Sequence, residues 1–493
     1  MLKLKSIFFM LIIVISINAQ WKEVKSLWGG NEDGYFGSSV SLSYDGSIMA
    51  VGAMEDGYVK VYEYNKSMNH LSQLGSDITG SGKTGYEISL NGAGDIIAIG
   101  SPYANGSTSN EGLVRVYKYN GTSWIQMGSN INGVAGDRAG KSVSLNYDGL
   151  TLAIGYPDND GSSINSGLAK VFKYNGTSWI QVGSNMESGD SKGLGTALEL
   201  DSLGNNLVIG DYLNDYDGYA TGAMRVYNFN GTDWSQKGDT IFGLNGGDWF
   251  GFDVSISADG NTIVGGAEKS FGDLSNPVSD VGEVRVFKFD GTNWVQKGGT
   301  INGQTIHWGL GTTVSISANG NKLVSGGIGY DNNTGYVLIY DYDGSEWIKN
   351  DDYFIGGYQS PRFGYSLSLS KDGKAIAAGA PETRDVNESY EEGTASYIID
   401  TTVVISSITK INEFDITYYP NPSIGILNLS IGISQNEDII VEIVDINGKL
   451  ILSDKIKANN TELLINVKNI TKGQYFLRLR SLKSHSIRKF IVY

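Results

Sequence analysis

The sequence predicts an all-β protein, made of a repeated four-stranded unit followed by a smaller β-domain. Three observations lead to this expectation. A segment that ends in glycine recurs seven times, glycine and tyrosine are abundant at 67 and 29 of 493 residues, and the repeat stops near residue 400. Abundant glycine and tyrosine are typical of many short strands joined by tight turns.

The recurring glycine marks the second strand of each unit. We expect it at Val51-Gly52, Ile99-Gly100, Ile154-Gly155, Ile209-Gly210, Val264-Gly265, Ser325-Gly326 and Ala378-Gly379. An alternating segment such as 142–145 precedes each copy across a short turn, often Asp-Gly or Asn-Gly. Period-two alternation broken by such a turn predicts a β-hairpin, so these segments are strands one and two.

Third and fourth strands follow each hairpin. Third strands are expected at 113–119, 168–174, 224–229, 283–289 and 336–342, and the fourth strands begin at Trp124, Trp179, Trp234, Trp294 and Trp347. Four strands in about 55 residues correspond to one blade of a β-propeller. Seven copies therefore predict a seven-bladed β-propeller over residues 20–400.

The two ends of the repeat are complementary. Trp21 lies 30 residues before Val51, just as Trp124 lies 30 residues before Ile154, whereas the seventh copy ends without a tryptophan strand. We expect the N-terminal strand at 21–24 to complete the last blade, because that pairing removes an open sheet edge. A local strand at 402–405 is the alternative for that place. An open solenoid is the alternative for the whole repeat.

Short motifs in the repeat resemble a known family. Phe36-Gly37, Phe250-Gly251 and Phe363-Gly364 precede first strands, and Gly379-Ala380-Pro381 closes a second strand. Residues 21–400 thereby resemble the FG-GAP repeats of integrin α-subunit propellers and their bacterial relatives. The calcium loops of that family have no counterpart, because Tyr44-Asp45-Gly46 offers one carboxylate where calcium takes about six to eight oxygens.

The N-terminus has the pattern of a signal peptide. Lys3 and Lys5 precede an apolar run at 7–17 and a small residue at Ala19, which predicts a cleaved segment at 1–19. An uncleaved anchor is the alternative, but the run is too short to span about 30 Å of hydrocarbon comfortably. No later stretch reaches transmembrane length, so we expect no transmembrane segment in the mature protein.

The C-terminal part changes pattern after a linker at 401–417. Residues 418–493 predict a small immunoglobulin-like β-sandwich of short alternating strands. Within it stand the motif residues Tyr419, Pro420, Asn421, Pro422, Gly425, Gly448, Lys449, Gly473 and Tyr475. Their order and spacing resemble the type A C-terminal sorting domain of the type IX secretion system.

That resemblance carries an expectation about location. It implies export across the outer membrane of a diderm bacterium by the type IX secretion machinery. It also implies a sorting peptidase that usually removes this domain. The protein would then be secreted or attached to the outer cell surface.

Composition excludes several functions. The chain has no cysteine, which excludes disulfides and thiolate chemistry. Its three histidines, His70, His307 and His485, lie in no metal-binding or catalytic pattern. The formal charge of −16 is concentrated between the termini at about −20, which disfavours nucleic acid as a partner. No catalytic, cofactor-binding or metal-ligating residue is therefore assigned.

The loops between second and third strands vary in length and are the expected functional surface, because rigid strands commonly present function on variable loops. The candidate ligand face consists of Tyr103, Tyr156, Asp158, Asp160, Tyr212, Asp215, Tyr216, Asp217, Tyr330 and Tyr390. Aromatic rings beside carboxylates suit sugars, cations or a basic protein patch. No cofactor is expected; calcium at 158–161 or 215–218 is an alternative, although both segments lack a distal Glu.

These features favour a secreted or cell-surface binding or adhesion protein, with a glycan or protein ligand, over an enzyme. One alternative is a polysaccharide-active or other hydrolytic propeller that uses carboxylates on the variable-loop face. Another is a surface scaffold without a ligand. Two carboxylates about 5 to 10 Å apart in a deep cleft would favour glycoside chemistry.

Overall fold

The computed structural model describes most of residues 21–492, and the chain divides into two compact units, 1–401 and 402–493. Outside the description lie residues 1–20, 32, 107, 162–163, 188–192, 216–217, 271–280, 305–308, 330–332, 357–361, 384–391, 402–415, 420–425, 432–438, 446–449, 458–461, 481–484 and 493. The expected signal peptide and most of the expected linker fall on these residues.

In the described part of the first unit, strands form seven antiparallel sheets, numbered here along the chain after the leading strand β1 (Trp21–Trp28). Sheet 1 contains β2 (Phe36–Leu42), β3 (Ile48–Ala53), β4 (Tyr58–Asn65), β5 (His70–Gln73) and β6 (Ile78–Thr79). Sheet 2 contains β7 (Glu87–Leu90), β8 (Ile96–Ser101), β9 (Leu113–Tyr119), β10 (Trp124–Gln126) and β11 (Ile131–Asn132). Sheet 3 contains β12 (Val143–Leu145), β13 (Thr151–Tyr156), β14 (Leu168–Tyr174), β15 (Trp179–Gln181) and β16 (Met186–Glu187).

The remaining sheets repeat this plan. Sheet 4 contains β17 (Leu198–Leu200), β18 (Asn206–Asp211), β19 (Ala223–Phe229), β20 (Trp234–Gln236) and β21 (Ile241–Phe242). Sheet 5 contains β22 (Phe250–Ile256), β23 (Thr262–Ala267), β24 (Glu283–Phe289), β25 (Trp294–Gln296) and β26 (Ile301–Asn302). Sheet 6 contains β27 (Thr313–Ile316), β28 (Lys322–Gly327), β29 (Tyr336–Tyr342) and β30 (Trp347–Ile355). Sheet 7 contains β31 (Ser366–Leu369), β32 (Ala375–Ala380) and β33 (Thr394–Asp400).

Strand order follows the chain within each sheet, from a first strand to a fourth strand that begins with tryptophan in sheets 2 to 6. The indole N–H of each of these tryptophans donates to a backbone carbonyl of the preceding sheet, as Trp179 does to Met127 at 2.9 Å. A buried indole needs such an acceptor, so the bond fixes the outer part of each sheet against its neighbour.

The N-terminal strand completes sheet 7. Strand β1 pairs antiparallel with β33, from Trp21 opposite Asp400 to Trp28 opposite Thr394. The backbone N–H of Trp21 also donates to Asp352 of sheet 6 at 2.7 Å. This pairing confirms the closure expected from the position of Trp21.

A ring of backbone hydrogen bonds joins all seven sheets next to the turns between first and second strands. In each of sheets 1 to 6, one backbone N–H donates to a backbone carbonyl of the next sheet, at 2.7 to 3.3 Å. In chain order, the donors are Tyr44, Gly92, Tyr147, Ser202, Ala258 and Ala318. The N–H of Asp372 closes the ring by donating to the carbonyl of Tyr44 at 3.0 Å. The sheets therefore form a closed circle, and not an open array.

A second ring joins the first strands through side chains. In each sheet, one side chain of the first strand accepts a hydrogen bond from a backbone N–H of the following sheet. The acceptor is Glu199 in sheet 4 and a serine in the other six sheets: Ser41, Ser89, Ser144, Ser255, Ser315 and Ser368. Because the first strands pair on one side only, these side chains satisfy backbone donors that would otherwise lie buried without partners.

The repeated glycine has a steric explanation. A Cβ atom at the glycine of each second strand would lie 1.9 to 2.4 Å from a glycine carbonyl oxygen of the next sheet, as for Gly155 against Gly195. No side chain fits at that distance. The equivalent glycine in sheet 5 is Gly266, one residue after the predicted Gly265, because the second strand there carries two consecutive glycines and only Gly266 contacts the carbonyl of Gly311.

The second unit contains two sheets in its described residues. One has the order β34 (Ile416–Tyr419), β35 (Ile426–Ile431), β38 (Glu462–Asn466), and the other has the order β37 (Leu450–Ile456), β36 (Ile439–Val444), β39 (Gly473–Arg480), β40 (His485–Val492). Leu427, Val441 and Leu477 belong to one apolar core shared by both sheets. Across the described residues of the chain, no helix has the length and apolar character needed to cross a membrane.

We predict that closure by β1 stabilises the first unit. Trp21 is 4 % exposed and Trp28, in the same strand, is 46 % exposed. Trp21→Ala should therefore lower the free energy of unfolding by about 3 to 5 kcal/mol, and Trp28→Ala by less than about 1 kcal/mol. Urea denaturation followed by circular dichroism would measure both. Equal losses would contradict this role of β1.

Candidate functional site

The first strands of the seven sheets enclose a channel of about 470 Å3. Its wall is made by the alternate side chains of these strands that point away from the cores between the sheets. The channel runs from the turns between first and second strands, at Tyr44 and Tyr147, to the ends of the second strands, at Tyr212 and Glu268. The latter end lies on the face that carries the variable loops.

A four-residue turn lies at the start of the first strand of every sheet, at the channel mouth, and it overlaps the strand in β2 and β22. Each turn has a buried or small second residue and glycine at the third position, and the fourth N–H donates to the first carbonyl at 2.9 to 3.2 Å. We call the first and fourth residues of these turns the collar: Tyr35 and Ser38, Lys83 and Tyr86, Arg138 and Lys141, Gly193 and Thr196, Trp249 and Phe252, Gly309 and Thr312, Arg362 and Tyr365. Every fourth residue lines the channel.

The first collar residue adopts a left-handed backbone in all seven turns. Two of these residues are glycine, which adopts that conformation without a steric cost. The other five have φ between 53° and 61°: Tyr35, Lys83, Arg138, Trp249 and Arg362. A non-glycine residue there costs about 1 kcal/mol or more. Five turns thus retain a large side chain at the mouth where glycine would relieve the backbone.

An aromatic cluster forms the sheet 5 side of the collar. The rings of Trp249 and Phe252 are stacked with centroids 6.1 Å apart, and Tyr212, which directly follows the second strand of sheet 4, meets both edge-on, at 5.6 and 5.3 Å. The ammonium of Lys269 lies 5.6 Å from the Trp249 ring. These contacts hold a half-buried aromatic surface open toward the channel.

A second aromatic and cationic cluster lies on sheets 2 and 3. Tyr103 has the Lys83 ammonium 5.1 Å and the Arg138 guanidinium 5.0 Å from its ring centroid. The Lys141 ammonium lies 4.2 Å from the Tyr86 ring and donates to the Tyr86 hydroxyl. Cations over aromatic faces hold both groups in place and leave the ring edges available.

Acidic partners neutralise most cations around the mouth. Ion pairs join Lys83 to Glu55, Arg138 to Asp158 at 3.0 Å, Lys269 to Glu268 at 3.2 Å and Arg362 to Glu382 at 2.8 Å. The pairs are partly exposed, so each adds little stability. Their main effect is that the collar presents polar groups without a large net charge.

The two glycine turns leave gaps beside Trp249. Gly193 of sheet 4 and Gly309 of sheet 6 carry no side chain on either side of the sheet 5 turn. A second cavity of about 340 Å3 lies at Gly309, lined also by Glu268, Ile328 and Arg362. An extended ligand could therefore leave the channel over Gly309 while contacting the aromatic cluster.

Deeper in the channel, two carboxylates replace small residues of the repeat. Burial in the wall, together with the negative charge of Asp253, raises the pKa of Glu87 to about 8. Burial also raises the pKa of Asp253 to about 7, although the N–H groups of Val314 and Val254 donate to it. Near neutral pH this pair therefore holds both an acid and a base form.

An ion pair spans the far end of the channel. The Lys371 ammonium reaches from sheet 7 to the Glu199 carboxylate of sheet 4 at 2.6 Å and donates to the carbonyl of Ile256 at 3.0 Å. Glu199 also accepts from the hydroxyl of Ser255 at 2.5 Å. A ligand would thus approach from the variable-loop face.

The structure brings only some of the predicted ligand-face residues to the mouth. Tyr103, Asp158 and Tyr212 take part in the collar contacts described above. Asp160 and Asp215 lie farther out, and each accepts a backbone hydrogen bond within its own loop, from Asn165 at 2.9 Å and Ala220 at 2.7 Å. Tyr216, Asp217, Tyr330 and Tyr390 lie outside the described residues.

Tyr156 does not belong to an exposed ligand face. It is the last residue of β13, 1 % exposed, and packs in the core between sheets 2 and 3. The Lys170 ammonium covers its ring at 4.8 Å. The strand extends one residue beyond Gly155, which places this tyrosine inside the wall and not in the loop.

The collar and the two channel carboxylates were not predicted from the sequence. Both could have been found by aligning the seven copies on the glycine of the turn, because Glu87 and Asp253 then stand where other copies have Ser, Thr or Ala. The ligand face was predicted on the loops between second and third strands because their lengths vary. The mouth of the channel is instead built mainly by the four-residue collar turns.

The described residues contain no group of three or more His, Cys, Asp or Glu side chains placed to hold a metal ion. At 158–161, the alternative calcium site, the Asp158 carboxylate is paired with Arg138 at 3.0 Å and is therefore not a free calcium ligand. The segment 215–218 is only partly described, so that alternative stays a prediction.

Several sorting-motif residues lie within the described part of the second unit. Tyr419 ends β34, and Gly473 begins β39. Tyr475 is buried, and its hydroxyl donates to the carbonyl of Thr471 at 2.8 Å, which anchors the strand to the turn before it. Pro420, Asn421, Pro422, Gly425, Gly448 and Lys449 lie outside the description.

The raised pKa values of Glu87 and Asp253 predict that pH affects stability. Between pH 4 and pH 8 the folded protein binds more protons at these carboxyls than the unfolded chain, so their contribution to the free energy of unfolding falls as pH rises. Glu87→Gln and Asp253→Asn should each raise that free energy by about 2 kcal/mol at pH 8, with little effect at pH 4.

Urea denaturation at both pH values would measure this effect. Glu199→Gln is the matched control: it should lower the free energy of unfolding by about 1 to 3 kcal/mol, because it leaves Lys371 without its counter-ion. Destabilisation by Glu87→Gln at pH 8 would show that its carboxylate is stabilised in the channel wall.

Comparison with known proteins supports the fold and the C-terminal domain. Hydrazine synthase from Kuenenia stuttgartiensis is similar with a TM-score of 0.49 and 11% identity over 74% of this chain and 98% of that chain. The Cps50 (Swd1) β-propeller domain of Myceliophteria thermophila is similar with a TM-score of 0.50 and 11% identity over 77% of this chain and 99% of that chain. At this identity the second likeness shows the fold alone, a β-propeller. Curated protein sequences give no match to the chain.

Residues 417–493 match the family described as secretion system C-terminal sorting domain. This confirms the sorting domain expected from the motifs between Tyr419 and Tyr475. The chain carries a type IX sorting domain and is secreted or held at the outer surface of a diderm bacterium.

Proposed function

We propose that this protein is an exported seven-bladed propeller of the FG-GAP type that binds an extracellular carbohydrate through the collar of its channel. The sorting domain, proposed here to be immunoglobulin-like, delivers the propeller to the surface or the medium. Binding, and not catalysis, is the proposed activity.

The observation that carries this proposal is the backbone of the collar. Five of seven structurally equivalent turns keep Tyr, Lys, Arg or Trp in a left-handed conformation that two other turns fill with glycine. Strain of this kind persists where the side chain has a use that stability does not explain. Trp249 stacks on Phe252, which lines the channel, and Arg362 lines the cavity at Gly309.

Carbohydrate is favoured as the ligand by the chemistry of the mouth. Sugar rings present apolar C–H faces and hydroxyl edges, which suit half-buried aromatic rings beside polar and charged side chains. The stacked Trp249 and Phe252 supply the apolar surface, and the ion pairs of Arg138 and Arg362 supply polar groups. The ion pair across the far end limits the ligand to one terminus or one branch.

We predict that Trp249→Gly abolishes binding without unfolding the protein. The substitution removes the central aromatic ring while relieving the left-handed backbone, so the fold should persist. A glycan array probed with the full chain would identify a ligand, and calorimetry would then show an affinity loss of about thirtyfold or more.

The matched control is Asn69→Gly, because Asn69 has φ 49° in the outer turn between β4 and β5, away from the channel. It should leave the affinity unchanged. A Trp249→Gly variant that is folded and binds normally would refute the collar as the binding site. Release of shorter saccharides from a bound glycan would instead establish a hydrolytic enzyme.

A further inference from the structure

The seven sheets provide an internal reference for the channel wall. The residues that directly follow the seven collar turns are Ser39, Glu87, Ser142, Ala197, Asp253, Thr313 and Ser366. Five of these equivalent residues are small and uncharged. Glu87 of sheet 2 and Asp253 of sheet 5 depart from the pattern.

The small hydroxyl residues at this position have a structural task. Ser142, Thr313 and Ser366 donate to the carbonyl of the turn glycine in the next sheet, at 2.7 to 2.8 Å. A carboxylate cannot donate to that carbonyl. In sheet 5 Asp253 instead accepts a hydrogen bond from the N–H of Val314 in sheet 6 at 2.7 Å, so both sheets carry an acidic side chain in the channel wall where the others carry a small neutral one.

The two carboxylates stand on opposite walls. Around the closed ring, sheets 2 and 5 are separated by two sheets on one side and by three on the other. Both side chains nevertheless line the same channel of about 470 Å3. The two groups therefore face the same enclosed space from different directions.

Neither carboxylate has a cationic partner in direct contact among the described residues. The Lys141 ammonium acts on Glu87 through its charge but donates to the Tyr86 hydroxyl, and Lys371 is paired with Glu199 at the far end of the channel. The cations of the mouth are paired with Glu55, Asp158, Glu268 and Glu382. The channel thus contains a place for one additional positive charge.

We propose that the channel accepts the protonated amino group of an amino sugar between Glu87 and Asp253, while the collar aromatics contact the sugar rings. This assignment rests on the proposed function and names the ligand class of the same site. An ammonium group has three hydrogen-bond donors, and the carboxylates of Glu87 and Asp253 are acceptors that line the channel. Charge-assisted bonds in an enclosed site are stronger than neutral ones.

The test uses two ligands that share rings and linkage and differ in charge. The full chain is titrated calorimetrically with the β-1,4-linked tetramer of glucosamine and with its fully N-acetylated counterpart. The free amine should bind at least about tenfold more tightly, since a charge-assisted contact contributes more than a neutral one.

Variants separate the carboxylates from the collar. Glu87→Gln and Asp253→Asn should each weaken binding of the glucosamine tetramer about tenfold or more. Ala197→Ser, at the equivalent position of sheet 4, should leave the affinity within about twofold. Trp249→Gly should weaken both tetramers. Circular dichroism verifies that each variant is folded.

Equal affinity for both tetramers, or wild-type affinity in the two carboxamide variants, would refute the ammonium site. If Trp249→Gly still weakened binding in that case, the collar would remain the carbohydrate site. Binding of neither tetramer, while other glycans bind through Trp249, would also overturn the amino-sugar assignment. Binding of a lysine-containing peptide in place of both sugars would overturn the carbohydrate proposal as well.

Discussion

The whole first unit depends on one steric constraint, the direct approach of a second-strand glycine to a turn glycine of the next sheet. With Cβ atoms excluded at that contact, adjacent sheets approach closely enough for the serine and backbone rings to form. The same contact fixes the position of each turn. Since the first and fourth residues of the turn are held by its glycine, the geometry of the channel mouth follows from the packing of the sheets. Binding surface and fold are therefore specified by the same residues.

Much of this architecture could be predicted from the sequence because the repeat is regular. The tryptophans and Asn-Gly turns gave the strands, and the missing strand at one end matched the extra Trp21 at the other. The register failed only at Gly265, where two consecutive glycines make the pattern ambiguous. Periodicity shows which residues alternate, but it does not show which of two adjacent glycines contacts the next sheet.

The site was harder to predict, for a physical reason. Whether Tyr156 ends a strand or begins a loop depends on one residue of pairing, and this decides between a core ring and an exposed one. Glu87 and Asp253 are far apart in sequence, and only closure of the circle places them around one space. Tyr103, Asp158 and Tyr212 were found because loops next to a channel carry aromatic and acidic residues. Their cationic partners became evident only from the contacts.

The pairing of β1 with β33 places Trp21 opposite Asp400, so the circle of sheets is closed by the first and last strands of the propeller. Because a polypeptide is synthesised from its N-terminus, the early sheets can assemble first, but β1 cannot pair until β33 of the seventh sheet has been made. The sorting domain follows within 17 residues of Asp400, beginning at Thr417. The order of synthesis therefore places the last strand needed to close the propeller shortly before the sorting domain.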